Sequence, residues 1–595
     1  MAIRQLRSSK VRLIASLSAV ALVATGMVAT TASSASAASH TGGTLIYVTN
    51  ADSFAHADPT RVYTGEDIAF LNTYLFRTLL SYNPTVGQAG FQLKPDLATD
   101  TGRVSDGGKT WAFTLKSGIK WQDGSALTCE DEKYGVSRAF ATDVLTDGPT
   151  YAIQYLNIPK DADGSSSYKG PYKKTGQALF DKAVVCSGNT ITFHLNAPIG
   201  DFNYFATYPA MSPVKAKADT GDKYDMNPMA LGPYKIQTYK SGAEMILVRN
   251  PNWSAATDSV RTAYPDQVTM RFSISEDVRD QIFLKDSTPN AVNYDQVMQP
   301  ANQAAFFNSS ASAGRGMNVT GPYTRYYATN VTPGHMDCLD VRKAVFFAIN
   351  NKALIDLAGG VRFYGKLGDS VINPLAGIDY APTHGGIHDS NFNIAGNATY
   401  AKTVLADAMT TCPDTYARVT DPKKGIAWDV ANTATGQKAA TLIKSALNAA
   451  GIQVNFNFIP SAQYYPTVQN PAKQGDISTA GWGADWANAS TVIPPLFIKE
   501  GGFNENQNWN WTGKTTADPG IGYDAWHSRV VANMGQTDRA KQSAEWKALA
   551  QIVTDEYWAI RPLFSIEQEY WGSKVGGASF WLPQGALLFP ALYVK

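Results

Sequence analysis

The sequence is poor in the parts from which catalysts and nucleic-acid binders are built. Its 595 residues hold no G-x-S-x-G elbow, no P-loop and no H-E-x-x-H pair, so there is no positive case for a serine hydrolase, a P-loop NTPase or a zinc peptidase. Cysteine is scarce: Cys129, Cys186, Cys338 and Cys412 are all there are, without a C-x-x-C or close Cys/His spacing, which speaks against a zinc site. His384 and His388 are separated by Gly385-Gly386, the mark of a loop rather than of a helix presenting both rings. Charged residues are only 17% of the chain and the net charge is +1, which gives no electrostatic case for nucleic acid. After residue 29 no apolar run nears the roughly 20 residues that span a bilayer. No resident metal or cofactor is expected. The 50 acidic residues leave carboxylate pairs open, so a secreted hydrolase acting on peptides or glycans remains the rival from another class.

What is present is a long, moderately apolar chain. Its length exceeds the roughly 250–300 residues at which one core stops growing, so two or more lobes are expected. Arg4, Arg7, Lys10 and Arg12 stand before and at the start of an apolar run over 11–29, and Ala35-Ser36-Ala37 follows as an A-x-A cleavage site. Residues 1–37 therefore read as a Sec-type signal peptide. Removing those four basic residues takes the net charge from +1 to −3. The first cysteine is Cys129, so no lipid-bearing cysteine stands at the cleavage point. Export permits disulfides, and four cysteines allow three pairings. Pairing within regions, Cys129 with Cys186 and Cys338 with Cys412, is preferred over unpaired structural thiols.

Residues 93–140 carry the densest local signal. Trp111, Phe113 and Leu115 alternate with Ala112 and Thr114, the period of a half-buried strand. Asp106-Gly107-Gly108 and Ser117-Gly118 bracket it with turn residues. Ile119 and Trp121 read as a second short strand closed by Asp123-Gly124, and Thr128 as the N-cap of a helix opening on Glu130-Asp131-Glu132. The ordered set Pro95, Leu97-Ala98, Asp106, Lys109-Thr110, Phe113-Thr114-Leu115, Gly118-Ile119-Lys120-Trp121, Asp123-Gly124, Leu127-Thr128, Glu130-Asp131 and Arg138 resembles the signature of the extracytoplasmic solute-binding proteins called family five, the oligopeptide and nickel receptors of ABC importers. Gly232-Pro233-Tyr234 with Arg249-Asn250-Pro251 resembles a second block of that family, and residues 340–350 resemble its "V-R-x-A-L-x-x-A-I-D" helix.

Elsewhere the pattern predicts a strand at residues 44–48, a helix from about 67 to 80, a hairpin over 184–195, a second hairpin tipped by Ser241-Gly242, and a strand through Val268, Met270, Phe272 and Ile274. Residues 143–177 read as a long polar surface insertion. Within it Asp161, Asp163 and Gly164 look like a calcium loop, but Tyr172 stands at the twelfth position, so an ordinary loop is expected. Val341, Ala344, Val345, Ala348 and Ile349 form one stripe of a helix running to Gly359-Gly360. A second stripe over 439–450, then Gly451 and an alternating strand over 452–458, mark an α/β lobe.

The segment from Gly481 to Ser490 is the most informative for binding. It resembles the family's "G-W-x-A-D-Y/W" element, whose aspartate pairs with the α-amino group of a bound peptide, and Asp485 takes that place. Trp482, Trp486, Trp509 and Trp511 fall close by, with Tyr464 upstream and Phe54 in the first lobe; core packing is the bland reading of each, a ligand-lining wall the sharp one. The resemblance implies a two-lobed α/β fold of the type II periplasmic-binding-protein kind, with a hinge and an extra subdomain in the first lobe. Its expected divisions are the first lobe at 38–80, the inserted subdomain at 81–205, the first lobe again at 206–325, the second lobe at 326–560 and a return at 561–595. It further implies a monomeric, extracytoplasmic, non-enzymatic receptor that passes peptides to a membrane permease, with an oligosaccharide as the alternative ligand.

Overall fold

The computed structural model describes residues 40–595 except 295, 296, 502 and 513–520; the expected signal peptide lies outside the described residues. The chain starts on the apolar strand Thr44–Val48, whose Leu45, Tyr47 and Val48 are fully buried. Gln267–Arg271 and Ala291–Asn293 flank it in parallel, and Glu244–Arg249 and Tyr234–Lys240 extend the sheet antiparallel to five strands. Parallel strands demand cover on both faces. The helix Gly65–Tyr74 supplies part of it, with Phe70 packed edge-on against Tyr47 at 5.2 Å. That helix stops at Leu75, short of the expected 80, because the chain turns there to feed the strand Leu80–Tyr82.

A four-stranded antiparallel sheet lies between the first lobe's segments in sequence. Its order is Arg103–Ser105, Thr110–Thr114, Thr190–His194, Val184–Ser187. The helix Cys129–Arg138 begins with a capping box: Thr128 accepts from the Asp131 amide while the Asp131 carboxylate accepts from the Thr128 amide. Cys129 is bonded to Cys186, tying that helix to the sheet edge. Residues 119–121 do not form the expected strand. The Trp121 amide bonds to Ser125 across the Asp123-Gly124 turn, which leaves one bridge, Lys120 to Ala126.

The second lobe is built on a six-stranded mixed sheet in the order Gly365–Leu367, Ala559–Tyr570, Gly316–Thr329, Ile477–Gly483, Ile426–Ala431, Val454–Ile459. Its last two strands are parallel and joined by the helix Ala434–Ala449, the crossover that the helix–glycine–strand pattern predicts. The helix expected through Gly360 is two helices, Leu339–Ala348 and Asn351–Leu357. Asn350 breaks it by accepting from the Ala353 amide as an N-cap. Cys338 is bonded to Cys412 beside the first of them.

Two long strands join the lobes. Gly316–Thr329 and Ala559–Tyr570 run antiparallel. Tyr570, at one end, packs with Ile46, Phe283 and Phe306 of the first lobe; Tyr327 and Ile560, at the other, share the core of the second with Trp428. Their register shifts between Thr320 and Thr324, where Gly321-Pro322 interrupts the ladder. Among the described residues no helix is long and apolar enough to cross a membrane.

Candidate functional site

The strand Ile477–Gly483 delivers the segment that follows it to the first lobe. Trp486 is 2% exposed and belongs to the first lobe's core, with ring centroids 5.1 Å from Tyr151 and 6.3 Å from Tyr208. Its indole N–H donates to Asp201 at 2.7 Å, and Ser490 Oγ donates to the same Oδ2 at 2.6 Å. Burial raises the Asp201 carboxyl above its ordinary range, against the pull of those two donors.

Asp485 is one residue earlier and is held by the first lobe. Tyr63 Oη donates to Oδ2 at 2.9 Å, Tyr208 Oη to Oδ1 at 2.8 Å, and Tyr151 Oη also to Oδ2. Desolvation raises the Asp485 pKa to about 6, while the three phenols favour the charged form and pull it down. The same carboxylate pushes the phenols of Tyr63, Tyr151 and Tyr208 up, behind burial as the largest cause. A carboxylate has about four lone-pair sites, and the tyrosines fill three. Asp485 also lines a cavity of about 420 Å³, together with Glu66, Tyr323, Arg325, Trp482 and Glu567. Tyr63 divides it from a second cavity of about 430 Å³, more apolar and lined by Pro494, Ile498, Phe503 and Met534.

Of the residues singled out in the sequence, the structure brings Asp485 and Trp482 to this cavity. The Trp482 ring packs on Phe503 at 4.9 Å and its N–H donates to the Thr491 carbonyl at 2.6 Å. The other five do not line it, and the aromatic side chains that do are Trp482 with Tyr63, Tyr82, Tyr208 and Tyr323. Trp486 fills the first lobe's core instead. Trp511 is buried against Trp558 at 4.7 Å, and Trp509 sits under the Lys499 ammonium. The Tyr464 hydroxyl both donates to the Thr479 carbonyl and accepts from its amide, pinning the helix Ser461–Val468 to the strand that leads to Asp485. Phe54 is core, 5.5 Å from Phe70. Missed altogether were Tyr63, Tyr151 and Tyr208. Tyr151 lies in the stretch read as a polar insertion, which contains the helix Tyr151–Tyr155 with both tyrosines buried. Their i, i+4 spacing was the available signal for a buried turn. The Asp161 and Asp163 carboxylates of that insertion are engaged by Lys169, Ser165 and Ser167, and no metal-binding group of His, Cys, Asp or Glu occurs among the described residues.

Comparison with known proteins fits this geometry. The pattern described as bacterial extracellular solute-binding proteins, family 5, Middle, matches residues 92–504. The glutathione-binding protein GsiB of Salmonella typhi is 23% identical over 423 residues, covering 70% of each chain. The dipeptide-binding protein of Escherichia coli is 24% identical over 327 residues, 51% of this chain and 53% of its own. Among solved structures, clavulanic acid biosynthesis oligopeptide binding protein 2 superposes with a TM-score of 0.81 at 26% identity, over 93% of this chain and 96% of that one. The Escherichia coli murein tripeptide binding protein MppA reaches 0.71 at 17% identity, over 93% and 98%, and shares the fold. With more than half of its length inside the family pattern and two lobes built as in these relatives, the chain belongs to the bacterial extracellular solute-binding proteins, family 5.

Proposed function

We propose that this protein is an extracytoplasmic peptide receptor of an ABC importer, which holds a peptide between its lobes by the α-ammonium and hands it to a membrane permease. The observation that carries the reading is the placement of Asp485: a carboxylate from the second lobe, desolvated, caged by three phenols of the first, and facing a cavity of ligand size. An ammonium entering that cavity gains charge-assisted hydrogen bonds that water cannot match once the lobes have shut. Ligand then favours the closed arrangement through contacts with both lobes, the differential affinity that a population shift requires. The two strands that join the lobes, with the interruption at Gly321-Pro322, are the place for the hinge. The receptor works as a monomer and performs no bond chemistry.

Incubation of the purified protein with a mixed peptide pool tests this. Saturable retention of intact peptides, read by native mass spectrometry, is expected; appearance of cleaved products would install the hydrolase, and retention of oligosaccharides alone would replace the ligand class.

A further inference from the structure

The segment that carries Asp485 is held from two sides. Toward the second lobe, Asn488 Nδ2 donates to Gln542 Oε1 at 3.0 Å, and Asn488 Oδ1 accepts from the Trp546 indole at 3.1 Å. The Ala489 amide donates to Asp379 at 2.8 Å, and Arg539 grips that same carboxylate with two N–H groups, each at 2.6 Å. Gln542, Trp546 and Arg539 all stand on the helix Arg539–Asp555. Their neighbours on the segment face the other way: Trp486 and Ser490 meet on one oxygen of Asp201, in the first lobe.

Nothing local calls for Asp201. It precedes the short helix Phe202–Phe205, yet its side chain makes no cap bond to it, and among the described residues it lines neither of the two cavities. It is 6% exposed, and a carboxylate so placed needs donors to offset its lost water. Both donors come from the second lobe. The backbones draw together at the same point: a Cβ on Gly200 would stand 3.2 Å from the Gln536 carbonyl oxygen, so a glycine lets residue 200 come this near the second lobe. Parting the lobes returns the Trp486 N–H, the Ser490 hydroxyl and the Asp201 carboxylate to water together, and closing them pairs all three.

Resting on the reading of the protein as a receptor that closes over a peptide, we propose that Asp201 is a positioning residue: it latches residues 485–490 onto the first lobe as the lobes close, which seats Asp485 among its phenols and keeps the ligand in without touching it. The latch acts on the closing equilibrium. An apparent dissociation constant rises as the competent, closed fraction falls, and a closure that reopens sooner releases its ligand sooner. Every ligand therefore feels the latch alike.

The test loads purified protein with an isotope-labelled, randomised tripeptide mixture and chases with the unlabelled mixture, following the label still bound by native mass spectrometry. Asp201→Ala should release the label at least about tenfold faster than the wild type, one decade of closed-state stability, and by the same factor for every sequence retained. Ser490→Ala should release faster by a smaller factor. Adding it to Asp201→Ala should change nothing further, because the acceptor it served is already gone. Asp201→Asn should stay near the wild type, since an amide oxygen has two lone pairs for the same two donors. Release at the wild-type rate from Asp201→Ala overturns the latch, and a lowered melting temperature beside that rate makes Asp201 a prop of the fold instead. If Asp201→Ala fails to fold, Ser490→Ala at the wild-type rate overturns the latch by itself. A factor that varies with peptide sequence also overturns it, because Asp201 would then read the ligand. A wild type that retains no labelled peptide overturns the receptor reading, and the latch with it.

Discussion

Replacing Tyr208 by Phe changes one atom next to Asp485, and its consequence follows from the cage. The hydroxyl donates to Asp485 Oδ1 at 2.8 Å and is the sole tyrosine on that oxygen. A hydrogen bond to a charged group contributes about 1.5–3 kcal/mol, and 1.36 kcal/mol corresponds to one pKa unit. Removing it disfavours the ionised carboxylate by that amount, so the Asp485 pKa climbs from about 6 by roughly one to two. The sign for binding is fixed: an ammonium needs the ionised acid, so affinity is lost as the pH falls through this pKa, and it declines again above about 8, where the peptide's own α-amine gives up its proton. Calorimetric titration of a free-amine peptide should give a bell-shaped profile whose acid limb lies near 6 in the wild type and about one unit or more higher in Tyr208→Phe, with the alkaline limb, set by the peptide's α-amine near 8, unmoved. The phenyl ring keeps the packing on Trp486 and Tyr63, so the loss of stability should be confined to the missing hydrogen bond, at most about 1.5–3 kcal/mol, and should be seen above the shifted pKa, where the carboxylate must ionise, and not below it. An acid limb that stays put, or moves down, would refute the cage as the source of Asp485's acidity.

Other expectations follow from the same structure. Non-reducing peptide mapping should find Cys129–Cys186 and Cys338–Cys412 and no other pair; loops of 57 and 74 residues make each bridge a contribution of ~4 kcal/mol in the chain-entropy account, so Cys338→Ser with Cys412→Ser should lower the melting temperature. Arg138→Met should cost about 3–5 kcal/mol in urea denaturation, because the guanidinium is fully buried between Asp58 and Asp219 and its loss leaves two buried carboxylates without their cation. Ligand should alter tryptophan fluorescence chiefly through Trp482 at the cavity wall and Trp486 at the lobe contact; Trp482→Phe that leaves the response whole would count against the first.

The readable parts of the sequence were those whose signal is local. Turn residues on either side of Thr110–Thr114, the Thr128 capping box and the stripe over Ala434–Ala449 each act within a few residues, and family likeness adds the two lobes and Asp485. What escaped was contact at a distance. Nothing near Tyr63, Tyr151 or Tyr208 in sequence says that they meet Asp485, which is 422, 334 and 277 residues away. Tryptophan misled for the opposite reason. Large aromatic area is buried wherever a core has room, and Trp486 and Trp511 fill cores, whereas Trp482 is held at its cavity by a hydrogen bond to the Thr491 carbonyl that no spacing rule encodes. The helix expected through Gly360 failed at one side chain, since Asn350 offers the backbone a cap where the apolar stripe continues.

The central claim is that Asp485 recognises a peptide's free amine, and calorimetry on Asp485→Asn tests it most directly. The substitution keeps an acceptor for the tyrosines and removes the charge. Leaving an ammonium in a closed cleft without its partner costs roughly 2–5 kcal/mol, so free-amine peptides should bind the variant at least about tenfold more weakly. Their N-acetylated counterparts should bind the wild type poorly and lose little more in the variant. If free and acetylated peptides weaken alike, Asp485 closes the lobes through its tyrosines and does not read the ligand.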